Sequence, residues 1–346
     1  MKIRNIQFKT ISRPLRTLFS TSLGRKSVLS SVLVKTLLED GSEGLGEVPT
    51  SFAVPQESLE DIQKILTQII PLFIARTIEG YQRRIQTLRK TYDMPMTMSG
   101  LETSLFRAKL ATEGKSERDW WGGKLNRLET DITIPFITAR EPLEKWLRHV
   151  TRIGFCTYKV KVSGTIEADL KLLRLVWKYL DEHLPTFILR IDGNQGYTAK
   201  SYLRMADRLA KEGMWVELFE QPLPKHDFEG MRTVKKRSPM PIILDESVFT
   251  VEDVRRVIED DLGDGINIKL AKSGIAQART MIRLARRHNL RLMIGCMTET
   301  MVGLSAGIHC AAGTGKFDFI DLDGVYFLHG KQSFGKIRNE GPEYIL

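Results

Sequence analysis

Six charged residues recur at spacings that bring them to one place with complementary chemistry. Lys159 and Lys161 alternate within Tyr158-Lys159-Val160-Lys161-Val162, a short run that reads as a buried strand. Successive strand side chains point to opposite faces, so the two ammonium groups project together. Asp192, Glu220, Asp245 and Lys269 follow at intervals of 31, 28, 25 and 24 residues, at the ends of further apolar runs. Lysines on an exposed edge strand, or one carboxylate on a loop, would be unremarkable surface chemistry. Three carboxylates on consecutive strands are not, because left alone they repel and protonate. A hard divalent cation relieves that repulsion, and three carboxylates with open positions suit magnesium. A substrate carboxylate on the metal would present its α-carbon to a lysine on either side. One lysine then removes a proton from one face, the other returns one to the opposite face, and the metal stabilises the enediolate between. Positive charge from the metal and from Lys159 is expected to lower a lysine pKa toward the working range of a base.

The elements that must position these groups are legible from the same runs. Phe187 to Ile191 ends in Asp192-Gly193-Asn194, Trp215 to Phe219 in Glu220-Gln221-Pro222, and Ile242 to Leu244 in Asp245-Glu246-Ser247. Ile266 to Ile268 ends in Lys269, Leu292 to Gly295 in Cys296-Met297-Thr298-Glu299, and Phe317 to Ile320 in Asp321-Leu322-Asp323. Each interval accommodates one strand, one crossover helix and two short loops. With Thr130 to Ile134 as the first strand there are eight, which predicts an α/β fold of the (β/α)₈ barrel type with its chemistry at the carboxyl ends of the strands. Lys161 on strand two and Lys269 on strand six then face each other across the ring, with the three carboxylates on the arc between them.

The chain before the barrel has another texture. Strand-like Ile3 to Thr10 and Val28 to Glu39 lead to a turn at Asp40-Gly41, and from Gln56 apolar residues recur at helical spacing. An α+β capping domain is expected over residues 1–124, with Trp120-Trp121-Gly122-Gly123 at the boundary, and the barrel over 125–323. The glycine-rich tail, 324–346, lacks a βα unit and is expected to return to the cap.

Composition sets the outer limits. The 346 residues leave room for a barrel of roughly 200 to 250 residues and one smaller domain. The amino terminus lacks the apolar core of a signal peptide, and no stretch approaches a membrane span. Three cysteines without close pairing predict a reducing compartment, so a cytoplasmic enzyme is expected. A net charge of +10 raises nucleic-acid binding, but Lys235-Lys236-Arg237 and Arg286-Arg287-His288 fall at helix ends, where the helix dipole favours cations. No zinc-finger spacing, basic zipper or basic stripe interleaved with aromatics accompanies them.

The ordered set Lys159-x-Lys161, Asp192-x-Asn194, Glu220-Gln221-Pro222, Asp245-Glu246-Ser247 and Lys269 resembles the muconate-lactonising subgroup of the enolase superfamily. The resemblance implies a cap over a barrel, Mg²⁺ held by Asp192, Glu220 and Asp245, Lys161 and Lys269 as the acid/base pair, and Lys159 as an electrostatic helper. It also implies a homo-oligomer. Within the subgroup, Asp321-x-Asp323 with Cys296-Met297-Thr298-Glu299 is similar to the dipeptide epimerases, in which the two aspartates receive a substrate α-ammonium. By that likeness Thr133, Cys296 and Thr298 line the substrate cleft. Strand eight lies opposite strand four, so a molecule with a carboxylate at one end and an ammonium about two residues away would span the mouth, each residue covering up to roughly 3.5 Å. The expected activity is a dipeptide epimerase. An N-acylamino acid racemase, o-succinylbenzoate synthase or cycloisomerase is the alternative within the subgroup, and a non-catalytic basic binding protein on a relict barrel lies outside it.

Two departures from the family pattern stand out. Where the branch acting on Ala-Glu carries an arginine in the early cap loop, this chain has Gly24, followed by Arg25. With Leu18, Phe19, Leu23 and Phe52 around it, the loop predicts apolar second residues, and a small shift that carries the Arg25 guanidinium into the pocket would reverse that preference. In the cap helix, Phe106-Arg107-Ala108-Lys109 replaces a more apolar and acidic pattern.

Overall fold

A computed structural model describes residues 1–346. The amino-terminal unit is a three-stranded antiparallel sheet of β1 (Ile3–Thr21), β2 (Gly24–Leu38) and β3 (Glu43–Pro49). Gly41 makes the expected turn between β2 and β3 at φ 85°. Three helices follow: α1 (Leu59–Ile69), α2 (Tyr81–Thr91) and α3 (Pro95–Thr112). Helix α1 starts at a capping box in which Ser58 and Asp61 satisfy each other's backbone N–H. Gly46 lets β3 lie directly on α3, since a Cβ there would collide with the carbonyl of Gly100.

The first strand runs well beyond the expected Thr10. Its register with β2 breaks after Pro14–Val28 and resumes at Phe19–Lys26, so the hairpin continues as an arm whose tip is Ser22-Leu23. That arm crosses the barrel mouth. Phe136 N–H donates to Ser20 O at 3.0 Å on one side, and Ser22 Oγ donates to Asn194 O at 2.6 Å on the other.

After the short α4 (Glu117–Trp121) and β4 (Arg127–Glu129) comes the barrel. Its strands are β5 (Ile132–Ile134), β6 (Thr157–Lys161), β7 (Ile188–Asp192), β8 (Phe219–Glu220), β9 (Ile242–Leu244), β10 (Gly265–Ile268), β11 (Arg291–Gly295) and β12 (Phe319–Asp321). They are parallel and neighbours in chain order. Asp131 N–H to Ile320 O, 3.2 Å, and Leu322 N–H to Thr130 Oγ1, 2.7 Å, close the seam between β12 and β5. Helices α5 (Arg140–Ile153), α6 (Ile166–His183), α7 (Ala199–Lys211), α8 (Phe228–Arg237), α9 (Val251–Glu259), α10 (Leu270–Arg287) and α11 (Met301–Thr314) cover the outside. A single 3₁₀ turn, Gly324–Phe327, takes the place of an eighth helix. The expected strand from Trp215 is shorter than its apolar run: Trp215 is 60% exposed and the ladder holds only Phe219 and Glu220. No helix is long and apolar enough to cross a membrane.

The barrel interior is layered. Leu218, Ile243, Met293 and Phe319 form an apolar floor separate from the main core. Above it, inward positions carry charge. The tail divides its contacts: β14 (Glu343–Ile345) pairs with β4 and β13 (Arg338–Glu340) with β14, while Leu328 bridges Leu15 of the cap and Phe334 lies under the Arg107 guanidinium of α3. Arg107 donates to Leu45 O, Val302 O and Ser305 Oγ and pairs with Glu117, so it ties the cap to α11.

A second tie runs through two buried glutamates. Glu47 of β3 accepts from Thr300 N–H at 3.0 Å, from Thr300 Oγ1 at 2.5 Å and from Gly303 N–H at 3.0 Å, capping the start of α11 from the other unit. Glu299 lies beside it, and burial, reinforced by Glu47, pushes its carboxyl up from 4.5 to about 8. The folded protein therefore holds this proton more tightly than the unfolded chain. Its contribution to stability is fully present below pH 4.5, declines as pH rises, and is lost by about 8. Unfolding free energy measured from pH 5 to 9 should show this decline, and Glu299→Gln should flatten it by at most about 5 kcal/mol. An identical pH dependence in the variant would remove Glu299 from that role.

Candidate active site

The strand-end residues meet at the carboxyl side of the barrel, buried under the hairpin arm. Asp192 ends β7, Glu220 ends β8 and Asp245 follows β9, with exposures of 0, 0 and 3%. Each carries at least one lysine. Lys161 pairs with Asp192, Lys159 with Glu220 at 3.3 Å, and Lys269 with Asp245 at 2.7 Å. Lys161 and Lys269 stand on β6 and just past β10, four strands apart in the ring of eight.

The loops that follow hold this arc rigidly. Asn194, Gln195 and Gln221 adopt left-handed backbone at φ 39°, 70° and 34°, a strained choice for residues with side chains. Gln221 compensates by binding across the arc. Its Oε1 accepts from Asp245 N–H at 3.0 Å and Ser247 N–H at 3.1 Å, and its Nε2 donates to Leu223 O and Ser247 Oγ.

On the opposite side, Asp131, Asp321 and Asp323 bring one oxygen each to within 4.8 Å of the others. Lys159 Nζ contacts Asp321, Arg190 donates to Asp131 Oδ2 at 2.7 Å, and Thr133 N–H donates to Asp323 Oδ2 at 2.6 Å. Cys296 Sγ lies 3.7 Å from Asp323 Oδ1, and burial, then Asp323, pushes its thiol well above the ordinary range, so it is a weak donor and not a nucleophile. Burial, with Asp321 adding to it, also raises the Asp323 carboxyl. Thr133 and Thr298 line the same cavity, together with Lys161, Lys269 and Asp245.

Burial alone would lower the Lys269 pKa, but contact with Asp245 and the nearby Glu220 hold it above the ordinary lysine range. The partner shows the other side of that contact: burial would raise Asp245, yet Lys269 and Lys272 keep its carboxyl well below the usual range.

Several contributors lie outside the expected set. Lys272 donates to Asp245 Oδ1 at 2.5 Å and its carbonyl at 2.7 Å, Asn267 donates to Glu220 Oε1 at 2.6 Å, and Asn194 donates to Glu246 Oε1 at 3.1 Å. Burial, with Asp245 and Asp192 beside it, pushes Glu246 up to about 8. Strand parity was the available signal for three of them, since Asp131, Arg190 and Asn267 each sit two residues before an assigned position. In the arm, Arg25 is exposed while Lys26 lines the cavity.

The arc fits a magnesium ion by donor chemistry. Its three carboxylates are hard oxygen ligands, and Asn194 Oδ1, Asn267 Oδ1 and Glu246 Oε2 on flanking residues are buried acceptors without a hydrogen-bond partner. The Asp131-Asp321-Asp323 trio is the tighter carboxylate group; Arg190 and Lys159 hold two of its members, and Asp131 Oδ1 and Asp321 Oδ1 are likewise buried without a partner.

Comparison with known proteins agrees with this architecture. The family described as enolase C-terminal domain-like matches residues 143–337. The aromatic dipeptide epimerase of Herpetosiphon aurantiacus is 32% identical over 94% of this chain and 91% of its own length. The L-Ala-D/L-Glu epimerase of Thermotoga maritima is 30% identical over 90% and 89%. The crystal structure of a dipeptide epimerase from Enterococcus faecalis with Mg and the dipeptide L-Leu-L-Tyr superposes with a TM-score of 0.89 at 26% identity, covering 100% of this chain and 97% of that one. Full-length similarity, a parallel barrel under an α+β cap, and opposed lysines flanking a carboxylate arc lead to one assignment: this chain belongs to the enolase superfamily, within the muconate-lactonising subgroup that includes the dipeptide epimerases.

Proposed function

We propose that the protein is a magnesium-dependent dipeptide epimerase that inverts the α-carbon of the carboxyl-terminal residue. The observation that carries this reading is the pairing of two half-sites across one mouth. Lys161 and Lys269 flank the arc, and the Asp131-Asp321-Asp323 trio faces it. The trio's three carboxylates share two cations, Lys159 and Arg190, which also serve Glu220 and Glu217. A substrate ammonium supplies the missing positive charge. N-acylated amino acids, the substrates of the alternative racemase reading, have no such group.

Asp192, Glu220 and Asp245 would hold the ion, which supplies charge stabilisation for a substrate carboxylate. The chain's own residues do the rest. Asp321 and Asp323 orient the dipeptide through its ammonium, with Thr133, Cys296 and Thr298 along the cleft. Lys161 takes the α-proton from one face, Lys269 delivers a proton to the other, and the roles exchange for the opposite stereoisomer. Lys159 holds Asp321 and Glu220 in place, and the hairpin arm excludes water.

Three measurements test this. Glu220→Gln, which keeps the shape of the side chain, should lose Mg²⁺ binding by calorimetry and lower α-proton exchange at least about 1000-fold, with circular dichroism unchanged. Retained binding and turnover would place the metal elsewhere. Lys161→Ala and Lys269→Ala should each lower epimerisation by about 100- to 10,000-fold, while one variant still exchanges the α-proton of a single stereoisomer in D₂O. Normal epimerisation in either variant sinks the two-base assignment. N-acetylation of a dipeptide substrate should raise KM by more than about tenfold, and equal KM for the blocked and free peptides would favour the N-acyl reading.

A further inference from the structure

Lys269 and Lys272 share one turn of chain, and a break separates that turn from the helix that follows. Ile268 ends β10, and the Lys269 carbonyl accepts from Lys272 N–H at 2.9 Å and from Ser273 N–H at 3.1 Å. At Gly274 the backbone leaves the helical region, with φ 72° and ψ −178°, and α10 resumes at Ile275. A helix that starts afresh has free N–H groups in its first turn, and flanking side chains ordinarily accept from them. Here the acceptor comes from the other unit: Ala276 N–H donates to Glu102 Oε1 of α3 at 2.9 Å.

Glu102 is fixed where it is. The residue is buried, and a Cβ at position 274 would lie 2.1 Å from its Oε2 and 2.6 Å from Arg89 Nη2, so the carboxylate fills the space that the glycine leaves open. Arg89 of α2 pairs with it at 3.5 Å and donates to Ser99 Oγ at 2.8 Å, and Ser99 Oγ lies 3.0 Å from the Lys272 carbonyl. Side chains of the cap therefore grip the far end of the turn. None of the three lines the mouth, but what they hold does. From this turn Lys269 Nζ and Lys272 Nζ donate to the two oxygens of Asp245, at 2.7 and 2.5 Å. Lys161 stands on β6, four strands away, and is held by Asp192 instead. A displacement of the turn moves one base and leaves the other in place.

Building on the two-base reading proposed above, we infer that Glu102 is a positioning residue. From the cap it sets where Lys269 stands, and so governs proton transfer on one face of the α-carbon.

The test follows α-proton exchange in D₂O for each stereoisomer separately, using L-Ala-L-Leu and L-Ala-D-Leu and the corresponding Ala-Glu pair with the full-length, magnesium-loaded protein. The stereoisomer slowed more by Lys269→Ala than by Lys161→Ala is the one that Lys269 deprotonates. Glu102→Ala should slow that stereoisomer at least about tenfold more than the other, since misplacing a reacting group by about 1 Å costs on the order of 100-fold. Glu102→Asp, which keeps the charge but withdraws it from Ala276, should shift the ratio in the same direction. Glu102→Gln, which keeps an oxygen for Ala276 N–H, should restore most of it. A residue that served the fold alone would slow both stereoisomers equally, and an equal loss or an unmoved ratio in Glu102→Ala and Glu102→Asp overturns the inference while the epimerase reading stands. If Glu102→Ala does not fold, Glu102→Asp decides alone. Exchange of both stereoisomers unaffected by Lys269→Ala, or no exchange of any of the four peptides by wild type, overturns the two-base reading and the inference with it.

Discussion

An ammonium group buried to 2% exposure stands at the centre of this molecule. Lys159 contacts Asp321 on one side, Glu220 at 3.3 Å on another, and lies 3.9 Å from Asp192. Burial would strip its proton, but Asp321, Glu220 and Asp192 outweigh that and hold its pKa well above the ordinary lysine range. It is the one cation that touches both acidic groups, each a set of buried carboxylates that would repel or take up protons without positive charge beside it. Because Lys159 touches both, one side chain links the arc to the trio.

The surroundings of Lys159 hold that link in place. Below lies the dry floor of Leu218, Ile243, Met293 and Phe319, on which the Arg190 guanidinium rests 5.2 Å from the Phe319 ring. Beside it, left-handed Gln221 fastens the backbone of Asp245 and Ser247 to the end of β8. Groups fixed in this way need not reorganise when charge moves in the substrate, which is the physical basis of electrostatic catalysis. Residues held in strained backbone next to Asp192 and Glu220 are one cost of that rigidity.

The barrel and the charged arc were readable in the sequence because both depend on local rules. Period-two alternation puts Lys159 and Lys161 on one face, and the spacing of about one βα unit puts Asp192, Glu220, Asp245 and Lys269 at successive strand ends. Other contributors were unreadable because their partners are remote in the chain. Glu47 meets Thr300 across 253 residues and Arg107 meets Ser305 across 198. Lys26 and Arg25 are neighbours in sequence, and only the register of the arm decides which of them turns inward. Strand β1 outruns the expected end at Thr10: its pairing with β2 carries on to Pro14, and after a register break the hairpin continues to Thr21.

The capping of α11 by Glu47 has a consequence for how this protein can be divided. A helix ordinarily finds the acceptors for its first N–H groups in its own flanking residues. Here the N–H groups of Thr300 and Gly303 are answered from a strand that lies some 250 residues earlier in the chain. A gene fragment encoding the barrel alone would encode a helix with its opening turn unfinished, next to the loop that carries Cys296 and Thr298. The two units are distinct as shapes but not as inheritable parts. Substitutions that retune the arm for another peptide are free to accumulate, whereas exchanging the whole cap for a foreign one would also take away the start of a barrel helix.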